Sequence, residues 1–402
     1  MSWEYIRLGD VCAKIGSGAT PKGGSTVYID EGTSFIRSQN IYNLEFSHEG
    51  LAHITEDAAK KLNGVAVQKD DVLINITGDS VARTCMVPDA VLPARVNQHV
   101  AIVRPDSNRL NPRFLNYYLA SPYMQSLMLG LAIGKGASRN AMTKDMLANF
   151  NILCPPIEIQ ESIVGILSTY DALIENNQKQ IKLLEEAARR LYKEWFVNFR
   201  FPGYEDTPIV DGVPEGWTLG ELGDIAIDSG KKEKKEHRGQ YRYYLPIDCL
   251  PKRSLAYTDK NDITLAESSL VAFMPNDILF GAMRPYFHKV VVARDKGLTR
   301  TTCFVINSKM PAYWAYLLLL LFSKDTVDYA TQISVGTTMP YVRWKDFIHM
   351  PTLIPPEEKC DAFQAIVLPI IERISCLAVS CERLIQARDR LLPKLMSGEI
   401  EV

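Results

Sequence analysis

From Ile163 onward, residues recur at alternating steps of four and three: Leu167, Tyr170, Ile174, Ile181, Leu184, Ala188, Leu191 and Trp195, with Asn177 the polar exception. That is a heptad register, and it predicts a long helix with one buried stripe. Two hundred residues later the same steps give Phe363, Val367, Ile370, Ile374, Leu377, Cys381, Leu384, Leu391 and Leu395, with Arg388 as the polar exception. Both stripes are opened by the same breaker, Pro155-Pro156 and Pro355-Pro356. Proline is tolerated in the first turn of a helix and not later, so both helices are expected to start there. A helix from Glu158 to Val197 would run about 60 Å at 1.5 Å per residue. A stripe of that length needs cover, and sustained heptads favour pairing of the two helices as a coiled coil over packing of each on its own neighbouring domain. Asn177 and Arg388 each correspond to an apolar residue in the other copy, so they either set register or reach solvent.

The segments preceding the two helices also repeat. Trp3, Leu8-Gly9-Asp10-Val11 and Ser17-Gly18 correspond to Trp217, Leu222-Gly223-Asp224-Ile225 and Ser229-Gly230. Asp71-Val72-Leu73-Ile74 matches Asp277-Ile278-Leu279-Phe280, and Val100-Ala101-Ile102 matches Phe304-Val305-Ile306. Short β-branched or alternating runs, at 72–77, 99–103, 278–280 and 289–293, read as strands bounded by Gly, Asp, Asn and Pro. Helical patterns follow at 111–131 and 311–333, where Phe114, Tyr117 and Tyr118 sit at core spacing. Between the halves, 198–216 mixes Pro, Gly and acidic residues without periodicity and is expected to be a connecting strap. The order is therefore domain, helix, strap, domain, helix.

Length and charge refine this picture. A chain of 402 residues with 47% apolar content can build two or three cores. Its longest uninterrupted apolar run, around Leu317 to Leu321, is about half of the ~20 residues a membrane span needs. The start, Met1-Ser2-Trp3-Glu4, does not read as a signal peptide, and eight scattered cysteines without a C-x-x-C point to free thiols in a reducing cytoplasm. The formal charge is only -2, but the two helices and the acidic strap together carry -8. The remaining segments then carry +6, a modest excess suited to a polyanion.

Searches for chemistry find little. Gly130 to Gly136 is one residue short of a phosphate loop, and no Ser or Thr follows Lys135. Gly16-Ser17-Gly18-Ala19-Thr20-Pro21 lacks the third glycine of a dinucleotide fingerprint. No metal-ligand spacing, nucleophile elbow or Asn-Pro-Pro-aromatic methyltransferase motif is present, so neither a catalytic residue nor a metal site is assigned. What the loops do hold is polar and basic clusters. In the first half these are Arg37, Gln39, Asn40, Thr77, Arg83, Asn97, Gln98, Lys135, Ser138, Arg139 and Asn140. In the second they are Lys231, Lys232, Lys234, Lys235, Arg238, Tyr241, Arg242, Arg284, His288, Lys289, Arg300, Thr337 and Arg343. Arg, Lys, Asn and Gln can make bidentate contacts to base edges in a major groove, and Lys is an ordinary phosphate partner. These residues are candidate DNA contacts, with a plain surface or turn role as the competing reading.

Taken together, the chain resembles the specificity subunit of type I restriction-modification enzymes. The residues that carry the resemblance are Arg390-Leu391-Leu392-Pro393-Lys394-Leu395-Met396-Ser397-Gly398-Glu399-Ile400, Ser17-Gly18-Ala19-Thr20-Pro21, the two Pro-Pro pairs, and Lys193-Glu194-Trp195-Phe196-Val197-Asn198-Phe199. The second half departs from the pattern with Ser229-Gly230-Lys231-Lys232. The resemblance implies an α+β chain with a pseudo-twofold internal repeat: target recognition domains at 1–154 and 217–354, long helices at 155–198 and 355–402 pairing as an antiparallel coiled coil, and a strap at 199–216. It implies a non-catalytic subunit whose two domains each read half of a split site in double-stranded DNA. Two methyltransferase subunits would supply S-adenosylmethionine chemistry, and restriction subunits would supply ATP- and Mg-dependent translocation and cleavage. No membrane partner is implied. The alternatives are a stand-alone methyltransferase or nuclease, against which the missing cofactor motif argues, and a coiled-coil scaffold, against which the basic loops argue.

Overall fold

The computed structural model describes residues 3–133 and 140–402. They form two compact units, Met1–Asp171 with Ile385–Val402, and Ala172–Leu384. Each long helix crosses that boundary, so each unit owns one end of both.

In the first unit four antiparallel strands lie in the order Thr84–Met86, Val72–Asn75, Val100–Pro105, Cys12–Ser17. Side chains on a strand alternate between the two faces of its sheet, and here both faces are dry. Val72, Ile74, Ala101 and Val103 enter one core, while Leu73, Val100 and Ile102 enter another. The first core is covered by helices Pro112–Ala120 and Pro122–Ala132. Asn111 and Ser121 cap them, each followed by proline at the first helical position, where no N–H is needed. The second core lies beneath a five-stranded sheet in which Ala94–Val96 runs parallel to Thr33–Ile36.

The second unit repeats this plan. Val290–Val292, Ile278–Gly281, Cys303–Ser308 and Ala226–Asp228 lie in the corresponding order. Ile278, Phe280, Phe304 and Ile306 face one core, and Leu279, Cys303 and Val305 face the other. The covering sheet has three strands, Lys231–Glu233, Leu270–Phe273 and Gly297–Arg300. In both units a two-stranded ladder, Glu4–Arg7 with Asn151–Cys154 and Thr218–Glu221 with Pro351–Ile354, leads the chain to the Pro-Pro pair and the long helix.

Backbone hydrogen bonds fix the residue correspondence and correct one sequence match. Asn75 N bonds Arg83 O, as Gly281 N bonds Lys289 O. Ile76 N bonds His99 O, as Ala282 N bonds Thr302 O. His99 therefore corresponds to Thr302 and Val100 to Cys303, one residue away from the pairing suggested by the similar runs Val100-Ala101-Ile102 and Phe304-Val305-Ile306. Apolar runs on a sheet with two buried faces carry no polar phase marker, so their register is not readable from composition.

The matched aspartates lock matched turns. Asp71 Oδ2 accepts from Gln68 N at 2.7 Å, and Asp277 Oδ2 from Met274 N at 2.7 Å. The preceding residues, Asp70 and Asn276, hold φ of 65° and 70°, a region that Asp and Asn tolerate better than most.

The long helices are Ile157–Tyr192, extended by a π turn at Lys193–Val197, and Glu357–Met396. In the first unit Arg388 Nη1 donates to Asp171 Oδ1 at 2.7 Å, and Leu392, Leu395 and Met396 share a core with Ile163 and Leu167. In the second unit Asn177 Nδ2 donates to Ser380 Oγ at 3.1 Å, Cys381 Sγ lies 3.8 Å from Ile174 O, and the Trp195 and Phe363 rings lie 5.4 Å apart. Rising numbers on one helix meet falling numbers on the other, so the contacts are antiparallel. One window of Glu357–Met396 has a mean hydropathy of 1.7, long and apolar enough to span a membrane by length and composition, although charged residues interrupt its apolar runs. Phe363, Val367, Ile371, Ile374 and Cys381 on that helix are buried, so its apolar stripe has protein cover.

The strap is more ordered than its sequence suggests. Phe201 is buried with its ring 5.2 Å from that of Trp217. Ile209–Val210 and Val213–Pro214 form a hairpin whose turn, Asp211-Gly212, has φ of 52° and 85°. Asp-Gly is the signal for that turn, a local cue that carries no periodicity.

Arg104 clasps Asp71 from Nε at 2.7 Å and Nη2 at 2.8 Å, with the Asp71 side chain fully buried. Asp71→Ala removes this pair and the lock on Gln68 together. Because Arg104 retains some solvent, the expected loss is roughly 2–4 kcal/mol rather than the full penalty of a buried orphan charge, read from the urea midpoint of the first unit's unfolding.

Candidate nucleic-acid interface

At one end of the first unit's central sheet the loops enclose an open cleft of about 570 Å³. Its floor comes from the chain leaving Val72–Asn75. Gly78, at φ 78°, donates its N–H to Asn140 O at 3.0 Å, and Met142 N returns to Ile76 O at 2.8 Å. Thr77, Asp79, Ser80, Arg83, His99 and Asn140 line the cleft, with Ser38, Gln39 and Tyr42 across from them. The Arg83 guanidinium lies 4.7 Å from the centroid of the Tyr42 ring. Thr77 Oγ1 and His99 Nδ1 are 2.6 Å apart, and Gln98 Nε2 lies 3.3 Å from His99 Nε2. His99 is thus held on both sides, leaving the exposed Gln98 amide at the rim.

The remaining candidates of this half divide by exposure. Arg37 Nη2 and Gln39 Nε2 both donate to Gly50 O, at 2.7 and 3.2 Å, which ties the 47–50 loop to the cleft. Asn40 is fully buried and donates to Ser47 O and Glu49 O, so its expected surface contact gives way to a turn role. Its short amide closes the loop on itself, which a list of polar residues does not reveal. Asn97 is buried, accepting from His99 N at 3.1 Å. Lys135, Ser138 and Arg139 lie outside the described residues. Tyr42 and His99 were not among the assigned residues. The signal for Tyr42 was alternation, since buried Ile41 precedes it on the strand.

The second unit builds the same loop frame with other side chains. Arg284 N bonds Pro340 O at 2.7 Å and Val342 N bonds Ala282 O at 2.9 Å, the counterparts of the Gly78 and Met142 bonds. Arg284 adopts the left-handed conformation of Gly78, with φ 50°, and His288 that of Ala82, with φ 53° against 74°. Arg284 Nη2 reaches Thr338 O at 3.3 Å, and Thr337 beside it is exposed. Lys289 donates to Ile247 O at 2.7 Å, and burial lowers its pKa.

Along 231–243 the candidates are partly engaged. Lys231 and Lys232 are exposed on their strand, and Lys234 is exposed on the loop. Lys235 and Arg238 both pair with Glu267, and Arg242 with Asp295 at 3.1 Å. Tyr241 donates to Glu233 Oε2 at 2.7 Å. That hydroxyl, together with Lys234 N–H and His237, holds the Glu233 carboxyl down at about 2. Arg300 is exposed, its side chain bonded to Tyr244, and Arg343 pairs with Asp346 at 2.5 Å. These pairs are surface contacts that an approaching phosphate can replace at small cost. Among the described residues no group of His, Cys, Asp and Glu converges as a metal site.

Residues 1–186 match the family described as type I restriction modification DNA specificity domain. Similarity to curated proteins runs along the whole length of the chain. It is 26% identical to the type I restriction enzyme MjaIX specificity subunit of Methanocaldococcus jannaschii, covering 100% of this chain and 94% of that one. It is 22% identical to the type I restriction enzyme HindI specificity subunit of Haemophilus influenzae, covering 99% of both. In fold it resembles the crystal structure of a type I restriction-modification system S subunit from M. genitalium, with a TM-score of 0.57 at 14% identity over 98% of this chain and 96% of that one. The specificity-domain match ends at residue 186, yet the second unit repeats the strand order and loop bonds of the first.

His288 gives this loop frame a pH signature. Its Nε2 lies 2.9 Å from Phe322 O, and burial lowers its pKa from 6.5. The unfolded chain therefore takes up a proton that the folded chain resists. The stabilisation is full above pH 6.5 and is lost as pH falls from there through the folded value. His288→Asn, which tolerates the same backbone conformation, is expected to flatten the fall in thermal midpoint between about pH 7 and 5.

Proposed function

We propose that this chain is the DNA-specificity subunit of a type I restriction-modification complex, each unit reading one half of a bipartite site in double-stranded DNA. The observation that carries the reading is one loop frame built twice on matched backbone hydrogen bonds and fitted with different side chains, Gly78, Arg83 and His99 in one unit against Arg284, Lys289 and Thr302 in the other. A scaffold kept constant while its polar surface diverges suits two readers of two sequences. The exposed amide of Gln98 and the guanidinium groups of Arg83 and Arg284 are of the types that address base edges. The exposed Lys231, Lys232 and Lys234 suit phosphates.

In this reading the chain has two target recognition domains, 1–154 and 217–354, joined by helices that form an antiparallel coiled coil with pseudo-twofold repetition. The helices set the separation of the half-sites and dock two methyltransferase subunits. Those subunits bring S-adenosylmethionine, restriction subunits bring ATP and Mg, and the assembly acts in the cytoplasm. The chain itself recognises and does not catalyse.

Arg83→Ala is expected to relax the sequence requirement of one half-site only, and Arg284→Ala that of the other. Each lost bidentate base contact should cost about 1–3 kcal/mol of discrimination. Methylome sequencing of a host carrying each variant reads this directly, and a uniform loss at all sites would reassign that arginine to a phosphate.

Seven residues inserted after both Asn177 and Leu377 keep every heptad position in phase and lengthen the seam by about 10 Å. The spacer is then expected to grow by up to about three base pairs at 3.4 Å each while both half-sites stay the same. Three base pairs also turn the second half-site by roughly 100°, so growth of one or two, or weakened modification, fits as well. Full modification at an unchanged spacer would remove the helices from the role of setting distance.

A further inference from the structure

The heptad stripes of the two long helices are matched at nearly every position, and a place beside them where charge breaks the match has a counterpart that is wholly apolar. In the first unit Asp171 is bound from two sides. Arg388 Nη1 donates to its Oδ1 at 2.7 Å, and the Tyr117 hydroxyl donates to its Oδ2. Tyr117 is 3% exposed and the Arg388 side chain 13%, with Asp389 2.9 Å from Arg388 Nη2.

Positions on the two helices correspond at a separation of 200, because both follow the same Pro-Pro pair and their buried residues keep step: Ile163 with Phe363, Leu167 with Val367, Ile174 with Ile374. Arg388 therefore corresponds to Ala188, and Asp171 to Ile371. Ser121 and Ser323 each cap the helix that follows them, and counting back from these two serines matches Tyr117 to Leu319. Ala188, Ile371 and Leu319 are all buried in the second unit's core. One place in the fold is thus ionic in one unit and apolar in the other.

We propose that this mismatch bars a second copy of the chain from the seam. If the first helix paired with the same helix of another copy in the observed register, Asp171 would face Ala188. If the second helix did so, Arg388 would face Ile371. Either arrangement breaks the pair against an apolar side chain: Asp171 loses Arg388, and Arg388, left with Asp389 alone, loses Asp171, whereas the observed pairing satisfies both. The rest of the seam does not discriminate. Its other heptad positions are apolar in both helices, and Asn177, which meets Ser380, would meet Gln180 in a self-pair and remain hydrogen-bonded. Rejection of the wrong partner therefore falls on Tyr117, Asp171 and Arg388, as a repulsive element that specific helix pairing needs besides its attractive ones.

The test gives the first unit the second unit's chemistry, with Tyr117→Leu, Asp171→Ile and Arg388→Ala combined in the full chain. Wild type and variant are refolded from denaturant over a range of chain concentrations and sized by light scattering. Wild type is expected to remain monomeric, while the variant melts no lower and shows a dimer fraction at least about tenfold higher at the top of the range. A variant as monomeric as wild type overturns the proposal, as does a wild type that dimerises equally. A variant that does not refold overturns it too, since the network would then be needed for packing rather than for choice. The exchanged pair, Asp171→Arg with Arg388→Asp, keeps unlike partners and is expected to stay monomeric. Its dimerisation would also count against the proposal.

Discussion

A residue on a β-strand faces one side of its sheet or the other, and in both units of this protein neither side of the central sheet is water. Val72 and Leu73, adjacent in sequence, are in different cores, as are Leu279 and Phe280. Two dry faces require two covers. One cover is helical and leads toward the long helices; the other is a second sheet, and it differs between the units. The polar loops emerge where the sheet runs out of cover, which is why Thr77, Arg83 and His99 meet around one cleft despite their separation in sequence. Backbone bonds from Ile76, Gly78 and Met142 hold this mouth rigidly, so its side chains are presented by structure already stabilised elsewhere.

The long helices extend the same economy. Each stripe is too long for one unit to cover, and each unit covers only the ends it owns. In the second unit Trp195, Phe196, Phe363 and Trp217 form an aromatic cluster around the π turn, with the Phe196 and Phe363 rings 4.7 Å apart. The extra residue of that turn brings both Trp195 and Phe196 into the core at the point where the helix hands over to the strap. The strap is then fixed by Phe201 on Trp217, so the connection between repeats is packed rather than merely tethered.

How much of this was legible depended on whether a periodic signal was anchored by a residue of unmistakable chemistry. The heptads were legible because Pro155-Pro156 and Pro355-Pro356 fixed their phase, and the match of Asp71 with Asp277 because a carboxylate marks the phase of the apolar run that follows it. The register of Val100 against Cys303 was not, because valine, alanine and phenylalanine fit either core. The same reasoning separates the candidate contacts. Asn40 and Gln39 are neighbours of similar composition, yet one is buried as a turn lock and the other lies at the cleft. Composition ranks residues by what they can bond, whereas exposure depends on the fold around them. Tyr42 escaped notice because an aromatic beside an isoleucine reads as core until the strand that alternates them is seen.

The left-handed backbone shared by Gly78 and Arg284 limits how such a surface can evolve. The position is held by a main-chain bond to the loop opposite, so the conformation persists whichever side chain is present. Residues branched at Cβ are strained there, which removes valine, isoleucine and threonine from the choices open to mutation. Glycine contributes an open floor and arginine a long cation, with asparagine and aspartate as the tolerated steps between. Drift at this point is therefore discontinuous: a lineage changes it by exchanging space for charge rather than by gradual adjustment of size, and the history of a loop of this kind should read as a series of jumps between a few chemical letters.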